Sequence, residues 1–104
     1  MENKSYKLRY LPLFEQDLLS TANYIINVLK NEDAALRLID EVESAILERL
    51  NNPISFEPYH SVKKREHLYY RIYVKNYVVY YVVIDDVMEV RRLMYGARDT
   101  EKYL

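Results

Sequence analysis

The sequence predicts an α+β fold: an N-terminal strand, an antiparallel two-helix hairpin, then a three-stranded antiparallel sheet. Three observations carry this. Apolar residues recur every three or four positions over two long stretches, 14–29 and 35–50. Alternating or continuous apolar runs crowd into the last third of the chain. Residues that stop helices or form turns separate these segments: Asn51-Asn52-Pro53, Asn76, Asp85-Asp86 and Gly96.

Residues 6–10 alternate Tyr6, Leu8 and Tyr10 with Lys7 and Arg9, the period of a half-buried strand. Pro12 follows, and its fixed φ and missing N–H suit the first position of a helix. Phe14, Leu18, Ala22, Ile25, Ile26 and Leu29 then form one apolar stripe. Asn31, Glu32 and Asp33 interrupt it, a capping side chain followed by negative charge where the next helix begins. Ala35, Leu38, Ile39, Val42, Ile46 and Leu50 make the second stripe, with Arg37 and Glu41 four apart on its outer side. So short a connection forces the helices antiparallel, both stripes turned toward a common partner.

Residues 53–66 hold two prolines, no periodicity and the run Lys63-Lys64-Arg65, and read as a loop. Residues 67–75 place Leu68, Tyr70, Ile72 and Val74 on one strand face and Tyr69, Arg71, Tyr73 and Lys75 on the other. Residues 77–84, YVVYYVVI, are apolar on both faces, as in a central strand covered on each side. Residues 87–95 form the last strand, Gly96 ends it, and 97–104 are a polar tail. The helical hairpin covers one sheet face. The opposite face is expected to carry Tyr69, Arg71, Tyr73, Lys75 and one of Arg91 and Arg92. Those two are adjacent, so an unbulged strand points them to opposite faces, and one must be edge-exposed or paired.

A chain of 104 residues has room for one domain, 1–104, and buries a little over ~60% of its unfolded surface without staples. The absence of cysteine removes disulfides, thiolate catalysis and cysteine-ligated metal together. His60 and His67 are too few for a zinc site, so neither metal nor cofactor is expected. No stretch reaches membrane-spanning length and the N-terminus has no apolar signal core, so the expectation is a cytoplasmic protein with no membrane partner. The formal charge of −1 conceals an asymmetry. Residues 1–52 hold six Lys/Arg against nine Asp/Glu, while residues 53–104 hold nine against seven. Any affinity for nucleic acid must therefore be local, and the candidates are Lys63, Lys64, Arg65, Tyr69, Lys75 and Arg92.

The order of elements resembles the RelE/ParE toxin superfamily, and so do specific stretches. They are Asp17-Leu18, Asp33-Ala34-Ala35, Asn52-Pro53, Tyr70-Arg71-Ile72, Asn76-Tyr77-Val78-Val79-Tyr80-Tyr81 and Arg92-Leu93-Met94-Tyr95-Gly96-Ala97-Arg98-Asp99. The resemblance covers nearly the whole chain in order. It implies the toxin of a bacterial type II toxin–antitoxin pair, neutralised by a cognate antitoxin. Its target would be the ribosome with mRNA, which RelE-like members cut, or DNA gyrase, which ParE-like members poison. The alternative is a toxin-fold interaction domain without toxicity.

Cleavage would be attack of a ribose 2′-OH on its own phosphate, which needs a base, cations for the phosphorane and an acid for the leaving oxygen. The resemblance assigns these roles to Arg71, Arg98, Tyr73, Tyr95 and Tyr103. The pattern is incomplete: Tyr73 stands where the ribonucleases can carry lysine, Val78 where they have arginine, and Tyr95 where many members have histidine. A tyrosine of ordinary pKa, about 10, is only about 0.1% ionised at pH 7, so a tyrosine base needs a shift of two or three units. The long hairpin and the Asp33-Ala34-Ala35 turn resemble the ParE branch more.

Blander roles compete for each residue. Tyr70, Tyr77, Tyr80 and Tyr81 read as packing or antitoxin contacts, whereas base stacking competes with packing for Tyr69 and Tyr73. Arg98 can pair with Asp99 or Glu101. Asp17 reads as a structural residue near the helix start.

Overall fold

A computed structural model of the chain describes residues 5–60, 65–96 and 104. The elements run β1 (Lys7–Tyr10), α1 (Pro12–Asn27), α2 (Glu32–Arg49), β2 (Tyr69–Val74), β3 (Tyr77–Ile84) and β4 (Val87–Tyr95). The strands form one sheet in the order β1-β4-β3-β2. The β2–β3–β4 meander is antiparallel as expected, and β1 joins it as an edge strand parallel to β4, pairing Lys7–Tyr10 with Val87–Val90.

Both helices start as their sequences direct. Pro12 occupies the first turn of α1, and the Asn31 side chain accepts a hydrogen bond from the Ala34 N–H at 3.0 Å to cap α2. Lys30, in the left-handed region at φ 56°, reverses the chain between them. Phe14, Ala22 and Ile25 of α1, with Ala35, Leu38, Val42 and Ile46 of α2, pack onto one sheet face. There they meet Tyr70, Ile72, Val74, Val79, Tyr81, Met88, Val90 and Leu93. α1 lies over β4 and α2 over β2. Leu29, expected on the first stripe, is exposed because α1 ends at Asn27.

Three further expectations change. The first strand of the meander begins at Tyr69 rather than His67, which leaves Leu68 63% exposed. Lys75 is a turn residue at φ 53°, which directs its ammonium to the helix side, 3.3 Å from Glu41. The sheet face away from the helices is largely closed over β3, as its apolar run requires, and the change is that Tyr69, expected on an open face, is buried with it. Tyr69, Val78, Tyr80 and Val82 are buried there beneath Tyr59, Met94 and Leu104. The Tyr59 N–H donates to the Tyr69 carbonyl at 2.6 Å, so the loop before β2 runs along that strand's edge.

Helix side chains complete the two ends of the sheet that strands leave unpaired. Beyond Val90, β4 has no β1 partner, and the Asp17 carboxylate of α1 accepts the Leu93 N–H at 3.0 Å instead. On the opposite edge, Arg49 of α2 donates to the Arg71 carbonyl at 3.1 Å and to the Tyr81 hydroxyl at 2.9 Å. That hydroxyl donates in turn to the Pro53 carbonyl at 2.6 Å. Burial raises the Tyr81 phenol pKa, against the opposing pull of Arg49. Tyr81→Phe deletes this bridge between α2, the loop and β3, and is expected to cost about 1–2 kcal/mol in urea unfolding at unchanged m-value.

Candidate functional site on the arginine–tyrosine sheet face

Strand alternation places Tyr69, Arg71 and Tyr73 on the sheet face away from the helices. The Arg71 guanidinium carbon lies 5.1 Å from the Tyr59 ring centre and 5.8 Å from that of Tyr73. Tyr59 is itself edge-on to Tyr80 at 6.1 Å. Arg71 is thus held by rings around its head and by Arg49 at its backbone, which restricts its rotamers before any ligand arrives. Each ring contact stabilises by only about 0.5–1 kcal/mol.

A β-bulge separates the two adjacent arginines of β4. Tyr80 pairs with Arg92 and Tyr81 with Val90, leaving Arg91 as the extra residue. Arg91 turns to the face away from the helices. Its Nη1 donates to the Tyr69 hydroxyl at 2.9 Å, and its Nε donates to Glu89 Oε2 at 2.9 Å. Arg92 points the other way and grips Asp17 bidentately, Nε at 2.8 Å and Nη2 at 3.0 Å. Arg92, expected among the nucleic-acid contacts, is therefore committed to α1, as Lys75 is to Glu41.

Glu89 is 6% exposed and takes hydrogen bonds from both Arg91 and Arg9, the latter at 3.1 Å. Burial works to raise its pKa, but the bonds from Arg91 and Arg9 outweigh burial and hold the carboxyl below its ordinary value. Burial likewise works against the charge on Arg91, and its bonds to Tyr69 and Glu89 again prevail, holding its pKa above the ordinary value. The Arg9 side chain stays 57% exposed. Arg65 lies 5.8 Å from the Tyr69 ring centre.

Of the catalytic candidates, Arg71 and Tyr73 are brought together, and Tyr95 shares with Tyr73 a depression of about 320 Å³ bounded by Asn76, Val78 and Gly96. Val78, at the position noted for a family arginine, is buried. Arg98, Tyr103, Lys63 and Lys64 lie outside the described residues. Tyr77, beside Tyr95, has its phenol pKa raised by burial and by Tyr95 itself, the wrong direction for a base. His60 pairs with Glu57 at 2.9 Å, on exposed loop. Among the described residues no three His, Asp or Glu side chains gather as a metal site, and no helix is long and apolar enough to cross a membrane.

Sequence reasoning missed Arg9, Tyr59 and Glu89 as members of this face; of Arg91 and Arg92, one expected here and the other paired, it is Arg91 that lies here and Arg92 that is paired. Arg9 already stood opposite Leu8 and Tyr10 in the alternation, and Glu89 is the single charge in VMEV, so both carried a signal. Tyr59 carried none, because a loop path places it. Chemically, the face offers guanidinium donors and aromatic rings, a set suited to phosphate and bases and poor in proton carriers.

The sequence model for the ParE toxin of the type II toxin–antitoxin system parDE matches residues 8–100. The chain belongs to this toxin family. No curated protein sequence matches it significantly. Its fold is shared with a chain of the chromosomal ParDE toxin–antitoxin system from P. aeruginosa, at TM-score 0.68 and 10% identity, over 90% of this chain and 99% of that one. YafQ from E. coli strain BL21(DE3) is similar at TM-score 0.56 and 14% identity, over 86% and 92%. A chain of the E. coli DinJ–YafQ toxin–antitoxin complex aligns at TM-score 0.54 and 11% identity, over 88% and 92%. The toxin thus keeps the strand, hairpin and sheet of these proteins while little of their sequence remains.

Proposed function

We propose that this toxin arrests growth by binding DNA gyrase rather than by cutting mRNA, and that a cognate antitoxin neutralises it. The observation that carries this reading is the sheet face itself. Where strand-borne cations and a proton carrier would be needed for cleavage, Val78 and Tyr80 are buried beneath Tyr59 and Leu104, while Lys75 and Arg92 are paired with acids of the helices. The remaining arginines can hold a phosphate, but holding alone does not move the 2′-OH proton. Membership of the ParE family supports the same target. The reading takes residues 1–104 as one toxin domain acting in the cytoplasm.

The antitoxin reading rests on the apolar surface left over. Leu19, Leu36 and Leu47 are exposed on the hairpin, more than half of each side chain facing water. An amphipathic helix or extended segment laid across the hairpin would cover them. The ParDE and DinJ–YafQ proteins of the same fold come from toxin–antitoxin systems.

The deciding measurement is a paired assay with purified toxin. Gyrase with supercoiled DNA is expected to yield trapped DNA breaks, and translating ribosomes are expected to leave mRNA intact. Cleaved mRNA that is lost with Arg71→Ala, together with unaffected gyrase, would reverse the assignment.

A further inference from the structure

We infer that Arg9, Arg91 and Arg71 form a phosphodiester-binding strip across the sheet face, and that its ligand is the duplex DNA that gyrase holds. The choice of DNA over RNA rests on the gyrase reading; the strip itself rests on geometry. Cross-strand register aligns Arg9 with Glu89, Glu89 with Val82 and Val82 with Tyr69, and Arg71 is two residues farther along β2. Arg9 and Arg71 therefore stand three strand spacings apart, about 14 Å across the sheet. Arg91 bridges the interval, since its guanidinium leaves β4 and reaches the Tyr69 hydroxyl on β2. Measured along the duplex axis, about 14 Å is roughly four base-pair rises.

The one buried acid in this row does not cancel it. Glu89 is shared by two arginines, so the group Arg9–Glu89–Arg91 keeps one net positive charge, and Arg71 adds another. Glu89 holds Arg91 in one orientation, and the Tyr59 and Tyr73 rings flank Arg71, so little freedom is lost when a phosphate docks. Arg9, 57% exposed at the β1 edge, is open to solvent. The helical hairpin on the other side carries the acidic half of the chain, which orients the sheet face toward a polyanion although the net charge is −1. Three guanidiniums hold a phosphodiester without themselves supplying a base for the 2′-OH proton.

The test is fluorescence anisotropy of the purified toxin with labelled duplex DNA, single-stranded DNA and RNA of one sequence, titrated from 50 to 200 mM salt. The strip's net charge of two gives a log–log salt slope of about −1.8 on duplex, and Arg9→Gln/Arg71→Gln brings it close to zero. Affinity at 50 mM falls at least tenfold in that double variant. Arg91 is left in place so that Glu89 keeps a partner, and thermal unfolding checks that the variant is folded. Arg37→Gln removes a positive charge from the hairpin instead and is expected to leave both slope and affinity unchanged. An unaltered slope in the double variant, equal losses with Arg37→Gln, or preference for RNA over duplex overturns the inference. Toxin that binds duplex with the expected slopes but fails to trap gyrase would sink the gyrase reading and leave the strip standing. Trapping that is equal in wild type and double variant, with DNA affinity also equal, would sink the strip and leave that reading standing.

Discussion

Asp17→Ala is expected to lower the stability of the toxin by about 2–4 kcal/mol, a loss usually associated with core truncation. The weight of Asp17 lies in three side-chain hydrogen bonds. It receives Nε and Nη2 of Arg92 and the N–H of Leu93, at 2.8–3.0 Å, with both side chains of the ion pair about four-fifths buried. Removing the carboxylate takes two charge-assisted hydrogen bonds from a largely buried guanidinium and orphans a strand N–H where β1 no longer reaches. Breaking one side of such a pair costs far more than the pair's net contribution, because the desolvation of the survivor is then uncompensated. In a chain of this length the melting temperature should fall by roughly 10–20 °C. Asp17→Asn keeps an acceptor for Leu93 and should lose about half as much. A change within ~0.5 kcal/mol for Asp17→Ala would mean that Arg92 simply turns to solvent, and the latch would have to be abandoned. The same experiment reports on the site, because Asp17 fixes the segment immediately after the bulge and so the strand path that throws Arg91 onto the opposite face.

That bulge marks where the sequence ceased to be legible. The helices could be read because their stripes are local: Ala35, Leu38, Val42 and Ile46 follow a period that only one geometry satisfies, and each is buried. YVVYYVVI likewise announced a strand covered on both faces, and Val79 and Tyr81 on one side, with Tyr80 and Val82 on the other, are buried. The adjacency of Arg91 and Arg92 stated a problem without its solution. They do part, Arg91 to the face away from the helices and Arg92 to α1, but which goes where is set by a bulge and by an acid 75 residues away in sequence. The parallel docking of β1 was hidden for the same reason, since KLRY is compatible with any edge. Lys75 was misplaced because alternation was carried one residue too far, past Val74 into a positive-φ turn. The site thus inherits the limits of long-range pairing: Arg71 and Tyr73 came from local alternation, whereas Arg9, Glu89 and Arg91 meet only when β1, β4 and β2 share a sheet.

Glu89 makes the second large effect, and one with a pH signature. Glu89→Gln is expected to cost about 2–3 kcal/mol at pH 7, and the cost should shrink as the solution is acidified. The carboxylate is nearly buried between Arg9 and Arg91, and its folded-state pKa is depressed because hydrogen bonds from those arginines outweigh burial. A depressed carboxylate contributes stability that is fully present above its unfolded value, about 4.3, and is lost as pH falls through the lower folded value. Below that point wild-type Glu89 is neutral and resembles glutamine, so the two unfolding curves should converge. Most of the loss belongs to the Arg91 side of the triad, which is about three-quarters buried; the exposed Arg9 contact is screened and contributes little. Arg9→Gln should accordingly lower stability at pH 7 by about 0.5 kcal/mol at most while still weakening DNA binding, which separates holding the triad together from holding a phosphate. Urea unfolding of both variants at pH 7, 5, 4 and 3 measures the stability changes, and anisotropy with duplex DNA measures the loss of binding. A gap between wild type and Glu89→Gln that stays constant, or widens in acid, would show that the carboxylate is not charged between its arginines, and Arg91 would lose the anchor that sets it on the sheet face.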